Sequence, residues 1–109
     1  MNVLVTTGPS YEPIDEVRRL TNFSTGELGI LLANQLAKSG CQVVCLRGVS
    51  ATCPSALENC RELPFTTNDD LLAQLTRFSR EQPVDAVFHV AALCDFKVKT
   101  VENATGTKL

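Results

Sequence analysis

Asn2-Val3-Leu4-Val5-Thr6-Thr7-Gly8-Pro9-Ser10 opens the chain with a short apolar, valine-rich run that turns polar at Thr6 and reaches a glycine at Gly8. Two later runs share its character, Gln42 to Leu46 and Ala86 to Val90. Each is apolar almost without interruption rather than alternating, and turn or polar residues bound it. That pattern suits strands covered on both faces, as in a parallel sheet. A weaker run, Arg61 to Phe65, contains Pro64, which lacks an N–H for a central ladder and points to an edge strand.

Two helices are expected between these runs. From about Thr25 to Ser39, Leu28, Leu31, Leu32, Leu36 and Ala37 recur at helical spacing, with Ser24 placed to cap the start and Gly40 to end it. From about Asp69 to Glu81, Leu71, Leu72, Leu75 and Phe78 form the apolar stripe, with Asn68 as the cap and Pro83 just past the end. Strand, helix, strand, weak strand, helix, strand is the alternation of a right-handed, doubly wound α/β fold. The expected architecture is Rossmann-like, a parallel sheet with helices on both faces in three α/β/α layers. With strand order 3-2-1-4, a crevice opens beyond the carboxyl ends of the first and fourth strands. The segments leaving those strands are Thr6 to Ser10 and Ala91 to Asp95, so functional residues are expected there.

Composition narrows the function. The 109 residues are 44% hydrophobic and 20% charged, an ordinary globular balance that suits one small domain. A formal net charge of -2 with no basic run offers no footprint for nucleic acid. No apolar stretch approaches the roughly 18 residues of a membrane span, and the start lacks the features of a secretion signal. The chain therefore reads as cytoplasmic, with no membrane partner. Its five cysteines, Cys41, Cys45, Cys53, Cys60 and Cys94, are odd in number and contain no Cys-x-x-Cys pair. Buried reduced thiols fit better than a zinc site, and no metal site built by the protein is expected.

The first connection departs from a dinucleotide-binding domain, which passes from strand to helix through a tight glycine turn. Here Gly8 is followed by a long polar insertion, Pro9 through Phe23. Within it Glu12 to Arg19 is expected to form a short helical turn with Pro13 at its first position. A solvated surface loop is the plainer reading, but long loops in compact domains tend to be functional. At the start of the first helix, Ser24, Thr25 and Gly26 would leave free N–H groups and a positive dipole end facing the crevice, suited to a phosphate or carboxylate. A simple N-cap explains Ser24 and Thr25 equally, and Gly29 serves close helix–sheet packing as well as any ligand. At the end of the second strand Cys45-Leu46-Arg47-Gly48 lacks the acidic residue that meets an NAD ribose. Arg47 suits the extra phosphate of NADP, although a solvated arginine is the commoner case. At the end of the fourth strand the two alanines Ala91 and Ala92 permit close approach of a flat ring or backbone. Asp95 lies within reach of a base, a ribose or a metal ion, or acts as a turn residue. His89, inside the strand, reads as a satisfied core histidine more readily than as a catalyst, and Cys94 has no partner base nearby in sequence.

Three stretches resemble one family. Val3 to Arg18, with its Thr6-Thr7-Gly8-Pro9-Ser10-Tyr11-Glu12-Pro13 opening, is similar to the start of phosphopantothenoylcysteine synthetases, also called phosphopantothenate–cysteine ligases, of the DNA/pantothenate metabolism flavoprotein family. Asn22 to Gly29 matches that family's Asn-x-Ser-[Ser/Thr]-Gly-x-x-Gly stretch, and Ala91 to Phe96 its Ala-Ala-x-x-Asp-[Tyr/Phe] stretch. Gly8-Pro9-Ser10 departs from the family's usual Gly-Gly-Thr. The resemblance implies a two-step ligation in coenzyme A biosynthesis. A nucleoside triphosphate, CTP or ATP, with Mg2+ activates the carboxylate of 4'-phosphopantothenate as an acyl nucleotide, and the amine of cysteine then forms the amide. It further implies Asn22 and Lys108 as catalytic residues. Nucleotide contacts would fall on Gly8, Ser24, Thr25, Gly26, His89, Val90, Ala91, Ala92, Asp95 and Phe96. Family members continue for roughly another hundred residues, so residues 1–109 correspond to a nucleotide-binding front half, expected to have little activity alone and to form a homodimer only within an intact protein. An NAD(P)-dependent oxidoreductase domain and a non-catalytic nucleotide-binding or assembly module are the competing readings.

Overall fold

The computed structural model describes residues 1–96. The chain runs β1 (Asn2–Thr7), β2 (Tyr11–Pro13), β3 (Arg19–Thr21), α1 (Glu27–Lys38), β4 (Gln42–Gly48), β5 (Arg61–Phe65), α2 (Asn68–Glu81) and β6 (Ala86–His89). Four of these strands form a parallel sheet in the order β5-β4-β1-β6, the expected 3-2-1-4 arrangement with the proline-bearing strand at an edge. Alternation along β1 explains why so short a run needs no polar positions. Val3 and Val5 pack with Ala33 of α1, Val43 and Cys45 on one face. Leu4 packs with Leu46, Phe65, and Leu71 and Phe78 of α2 on the other. Burying each such side chain is worth about 1.5–3 kcal/mol, so both faces contribute to holding the three layers together.

The helix ends show which local signals dominate. Gly40 closes α1 as expected: it adopts φ 96°, its N–H meets the Ala37 carbonyl, and the Cys41 N–H reaches back to Leu36. At the other end Ser24 does not cap α1. Gly26 does so in a left-handed conformation without a side-chain cap, and the helix begins two residues later than its periodicity suggests. For α2 the cap is Thr67, whose hydroxyl accepts from Asp70 N–H at 3.1 Å, and Asn68 is already helical. Asp70 answers by accepting from the Thr66 N–H at 2.8 Å, a reciprocal closure that favours threonine over the asparagine one residue later.

The insertion after Gly8 is a β-hairpin rather than a helical turn. β2 and β3 pair antiparallel, Tyr11 opposite Thr21 and Pro13 opposite Arg19. Asp15 decides the local contest, because its Oδ1 accepts from the N–H groups of Val17 and Arg18 at 2.9 and 2.8 Å and draws them out of any helical ladder. The Arg18 side chain bonded to this carboxylate, helped by the Val17 N–H, holds the Asp15 carboxyl below its ordinary range.

β6 corrects a second expectation. It forms an edge of the sheet among the described residues, with Val87 52% and Phe88 38% exposed, so it is not covered on both faces. All five cysteines are unpaired, and Cys45, Cys53 and Cys94 are buried.

Candidate functional site at the strand exits

Beyond their last paired residues, β1 and β6 stay bonded to each other. The Val90 N–H donates to the Thr6 carbonyl at 3.1 Å, Ala92 to Gly8 at 3.0 Å, and Ser10 to Ala92 at 3.1 Å, with a bridge between Pro9 and Ala92. Side chains reinforce the pairing. Ser10 Oγ accepts from the Cys94 N–H at 2.9 Å, and Thr6 Oγ1 accepts from the Ala91 N–H at 3.2 Å. Thr6, Thr7 and Ser10 are all fully buried, so these polar groups are structural cross-links rather than solvated loop residues. The two segments expected to share a crevice therefore form one continuous ledge.

The start of α1 sits against this ledge. Gly8 has φ 82°, and a Cβ there would lie 2.8 Å from the Ala51 Cβ, so the backbone needs glycine. A Cβ on Gly29 would lie 2.2 Å from Thr7 Oγ1, which shows how tightly α1 approaches β1. Thr7 Oγ1 in turn donates to the Gly26 carbonyl at 2.7 Å and ties the helix start to the strand exit. Beside them lies a recess of about 210 Å³ whose lining includes Thr7, Ser24, Thr25, Gly26, Gly29 and Val90. The first N–H groups of a helix have no partner within it, so the recess faces donors and a positive dipole end. One of them is taken, because the Glu27 N–H donates to Thr25 Oγ1 at 3.2 Å. Glu27 belongs to the same lining and brings an exposed carboxylate.

Asn22 bridges the hairpin and the ledge. Its Nδ2 donates to the Leu93 carbonyl at 2.6 Å, while Thr21 Oγ1 donates to the Ser10 carbonyl at 2.8 Å. Asn22 thus lies with both strand exits. Val90 lines the recess, Ala91 and Ala92 lie on the ledge, and Asp95 and Phe96 are exposed at its far end. His89 is not a core histidine: it is exposed on the edge strand, its Nδ1 2.7 Å from Thr6 Oγ1. Lys108 lies outside the described residues. Sequence reading placed the segment Thr6 to Ser10 at the crevice but did not single out Thr6, Thr7 and Ser10 as the residues that tie the two exits and the α1 start together. The signal was three hydroxyl residues directly after a buried strand, where turn residues are normally solvated.

Arg47 is not a solvated arginine either. It donates to the carbonyls of Cys53 at 2.6 Å and Ser55 at 3.4 Å and pairs with Glu62 at 3.5 Å. A guanidinium committed to its own β4–β5 connection is poorly placed to take the extra phosphate of NADP. Among the described residues no three or more His, Cys, Asp or Glu side chains are grouped to hold a metal ion. No helix among them is long and apolar enough to cross a membrane.

Residues 1–108 match the family described as DNA/pantothenate metabolism flavoprotein C-terminal domain. The chain belongs to this family. Similar curated proteins are the coenzyme A biosynthesis bifunctional proteins CoaBC of Thermococcus kodakarensis, 34% identical over 89% of this chain and 23% of the relative, and of Bacillus subtilis, 36% identical over 92% and 24%. The chain thus spans about a quarter of the length of these relatives. Among solved structures, the DNA/pantothenate metabolism flavoprotein from Streptococcus pneumoniae superposes with a TM-score of 0.78 at 33% identity, over 89% of this chain and 42% of that one. A Cab2 mutant in complex with phosphopantothenate-cysteine superposes equally well, TM-score 0.78 over 99% and 54%, at 19% identity, a likeness of fold alone. The likeness agrees with the parallel α/β sheet of four strands and its helices.

Proposed function

We propose that this chain is the nucleotide-binding front half of a phosphopantothenate–cysteine ligase. It would serve coenzyme A biosynthesis by converting the carboxylate of 4'-phosphopantothenate and CTP, or ATP in its place, to an acyl nucleotide with release of pyrophosphate. The amine of cysteine would then attack that acyl nucleotide with release of the nucleoside monophosphate. The observation that carries this reading is the single ledge formed by the two strand exits, with Asn22 bonded to it and the α1 recess beside it. Membership of the family, and relatives named for coenzyme A biosynthesis, support it.

Attack of a carboxylate on a triphosphate spreads negative charge over phosphoryl oxygens, so fixed donors govern the barrier. The α1 amides beside Gly26 supply such donors without reorganising. Asn22 has one amide hydrogen held by Leu93, leaving the other hydrogen and Oδ1 for the acyl nucleotide. Ala91 and Ala92 let a base or ribose approach the ledge, with Asp95 as an acceptor at its end. Mg2+ would arrive on the triphosphate, held mainly by phosphate and water. When bound it would supply charge neutralisation, and the carboxylates of Asp95 on the ledge and Glu27 in the recess lining are the groups of this chain that would hold it. Cysteine, the pantothenate arm, Lys108 and a second subunit complete the proposal, which is placed in the cytoplasm.

Calorimetric titration of the full chain with CTP plus Mg2+, set against NADPH, tests the reading. Binding of CTP to this chain is expected, and release of pyrophosphate on adding 4'-phosphopantothenate in the intact parent protein; binding of NADPH without CTP would end the ligase assignment.

A further inference from the structure

Asn68 stands outside every residue assigned above, yet three parts of the molecule meet on it. It begins α2, but the capping is done by Thr67, so the asparagine side chain is free for other work. Its Nδ2 donates to the Cys94 carbonyl at 2.9 Å, on the β6 exit. Its backbone N–H faces Glu12 Oε1 of β2 at 3.3 Å, and Glu12 is only 4% exposed. The next strand residue, Tyr11, donates its N–H to the Thr66 carbonyl at 3.0 Å. Hairpin, helix start and ledge are therefore joined within two residues of Asn68.

The other half of the amide shows which contact matters. Asn68 Oδ1 is buried and has no hydrogen-bond partner. Turning the amide over would bring Oδ1 against the Cys94 carbonyl, acceptor against acceptor, and lose the Nδ2 bond. The fold thus leaves an acceptor unsatisfied in order to keep a donor on Cys94. Among the described residues Cys94 is also held from β1 and the hairpin, by Ser10 Oγ on its N–H and by the Ser10 and Leu20 carbonyls near its thiol. Asn68 adds a hold on Cys94 from the start of α2. Asn22 acts in the same way one residue earlier, on the Leu93 carbonyl. The next residue along the chain is Asp95.

We infer that Asn68 is a positioning residue for the nucleotide site: its amide fixes the Leu93–Cys94 backbone against α2 and so sets where Asp95 stands. The bracing follows from the contacts alone, whereas its consequence for a nucleotide rests on the ligase reading. Two variants separate bracing from folding. Asn68→Asp keeps size and suits the first turn of a helix electrostatically, but removes the donor; Asn68→Ala removes donor and unsatisfied acceptor together. In the full chain, amide hydrogen exchange at Cys94 is expected to rise about fivefold or more in both variants while the α2 amides keep their protection. Affinity for CTP plus Mg2+ is expected to fall about tenfold, measured at a temperature where every variant remains fully folded. Asn68→Gln, which retains an amide donor, is expected to recover part of both. Unchanged exchange at Cys94 in both donor-less variants overturns the inference, and so does altered exchange with wild-type affinity for CTP. Altered exchange in a protein whose wild type binds no nucleotide keeps the brace and sinks the ligase reading instead.

Discussion

The side-chain amide of Asn22 donates to the backbone carbonyl of Leu93 at 2.6 Å, across 71 positions of sequence. This bond pins the end of the hairpin excursion to the exit of the last described strand. Replacing Asn22 by Asp puts a carboxylate against that carbonyl. Leaving a partly buried partner unpaired costs about 1–3 kcal/mol, so a lower denaturation midpoint is expected. The proposed chemistry adds a second effect, slower ligation or build-up of the acyl nucleotide in the intact parent protein. If Asn22→Asp alters neither ligation nor intermediate build-up, the catalytic assignment of Asn22 is wrong.

Gly29→Ala sets two effects against each other. Alanine gains about 1 kcal/mol over glycine inside a helix. Its Cβ, however, would sit 2.2 Å from Thr7 Oγ1 and 2.3 Å from Thr7 Cβ, and overpacking of this kind costs about 1–3 kcal/mol or more. The clash involves a side chain that is fully buried and already bonded to Gly26, so it has nowhere to move. Net destabilisation is expected in urea melts. A variant as stable as wild type would show that α1 does not approach β1 so closely.

Thr6→Val keeps the shape of a fully buried residue and removes its hydroxyl. The Ala91 N–H loses its acceptor and His89 Nδ1 its partner. A loss of about 1–3 kcal/mol is expected, read as a shifted denaturation midpoint at constant slope. No shift would mean that water replaces the hydroxyl and that the β6 exit is looser than described.

Burial pushes the Cys45 thiol up to about 12, with smaller contributions from Cys60 and Glu62, from an ordinary value of 9.0. The folded state thus holds this proton when the unfolded chain releases it. The associated stability is complete below about pH 9 and is lost as pH rises towards 12. Melting temperature should fall across that window. Cys45→Ala, less stable throughout because of the cavity, should show a flatter decline. Equal slopes in the two proteins would assign the alkaline loss to other groups.

Much of the fold was legible because its signals are local or periodic. Continuous valine-rich runs revealed the strands, Pro64 the edge, and Gly40 and Pro83 the helix ends, each through backbone sterics that act within a few residues. The carboxyl-end crevice followed from strand order. The hairpin was not legible, since Pro13 suits a helix start as well as a strand end, and only the Asp15 side chain tips the balance. His89 and β6 were misread for a different reason. An apolar run shows what a strand is able to bury, and says nothing of whether a neighbour exists to cover it.

The amino-acid sequence by itself therefore determined a parallel 3-2-1-4 sheet, its flanking helices and which two segments leave the carboxyl ends of the first and fourth strands. Tertiary structure alone decided which residues cap the helices and where Arg47, Asn22 and Asn68 spend their hydrogen bonds. Periodicity is written in neighbouring residues, whereas the partners of these side chains include carbonyls up to 71 positions away in sequence, chosen only when packing brings them within 3 Å.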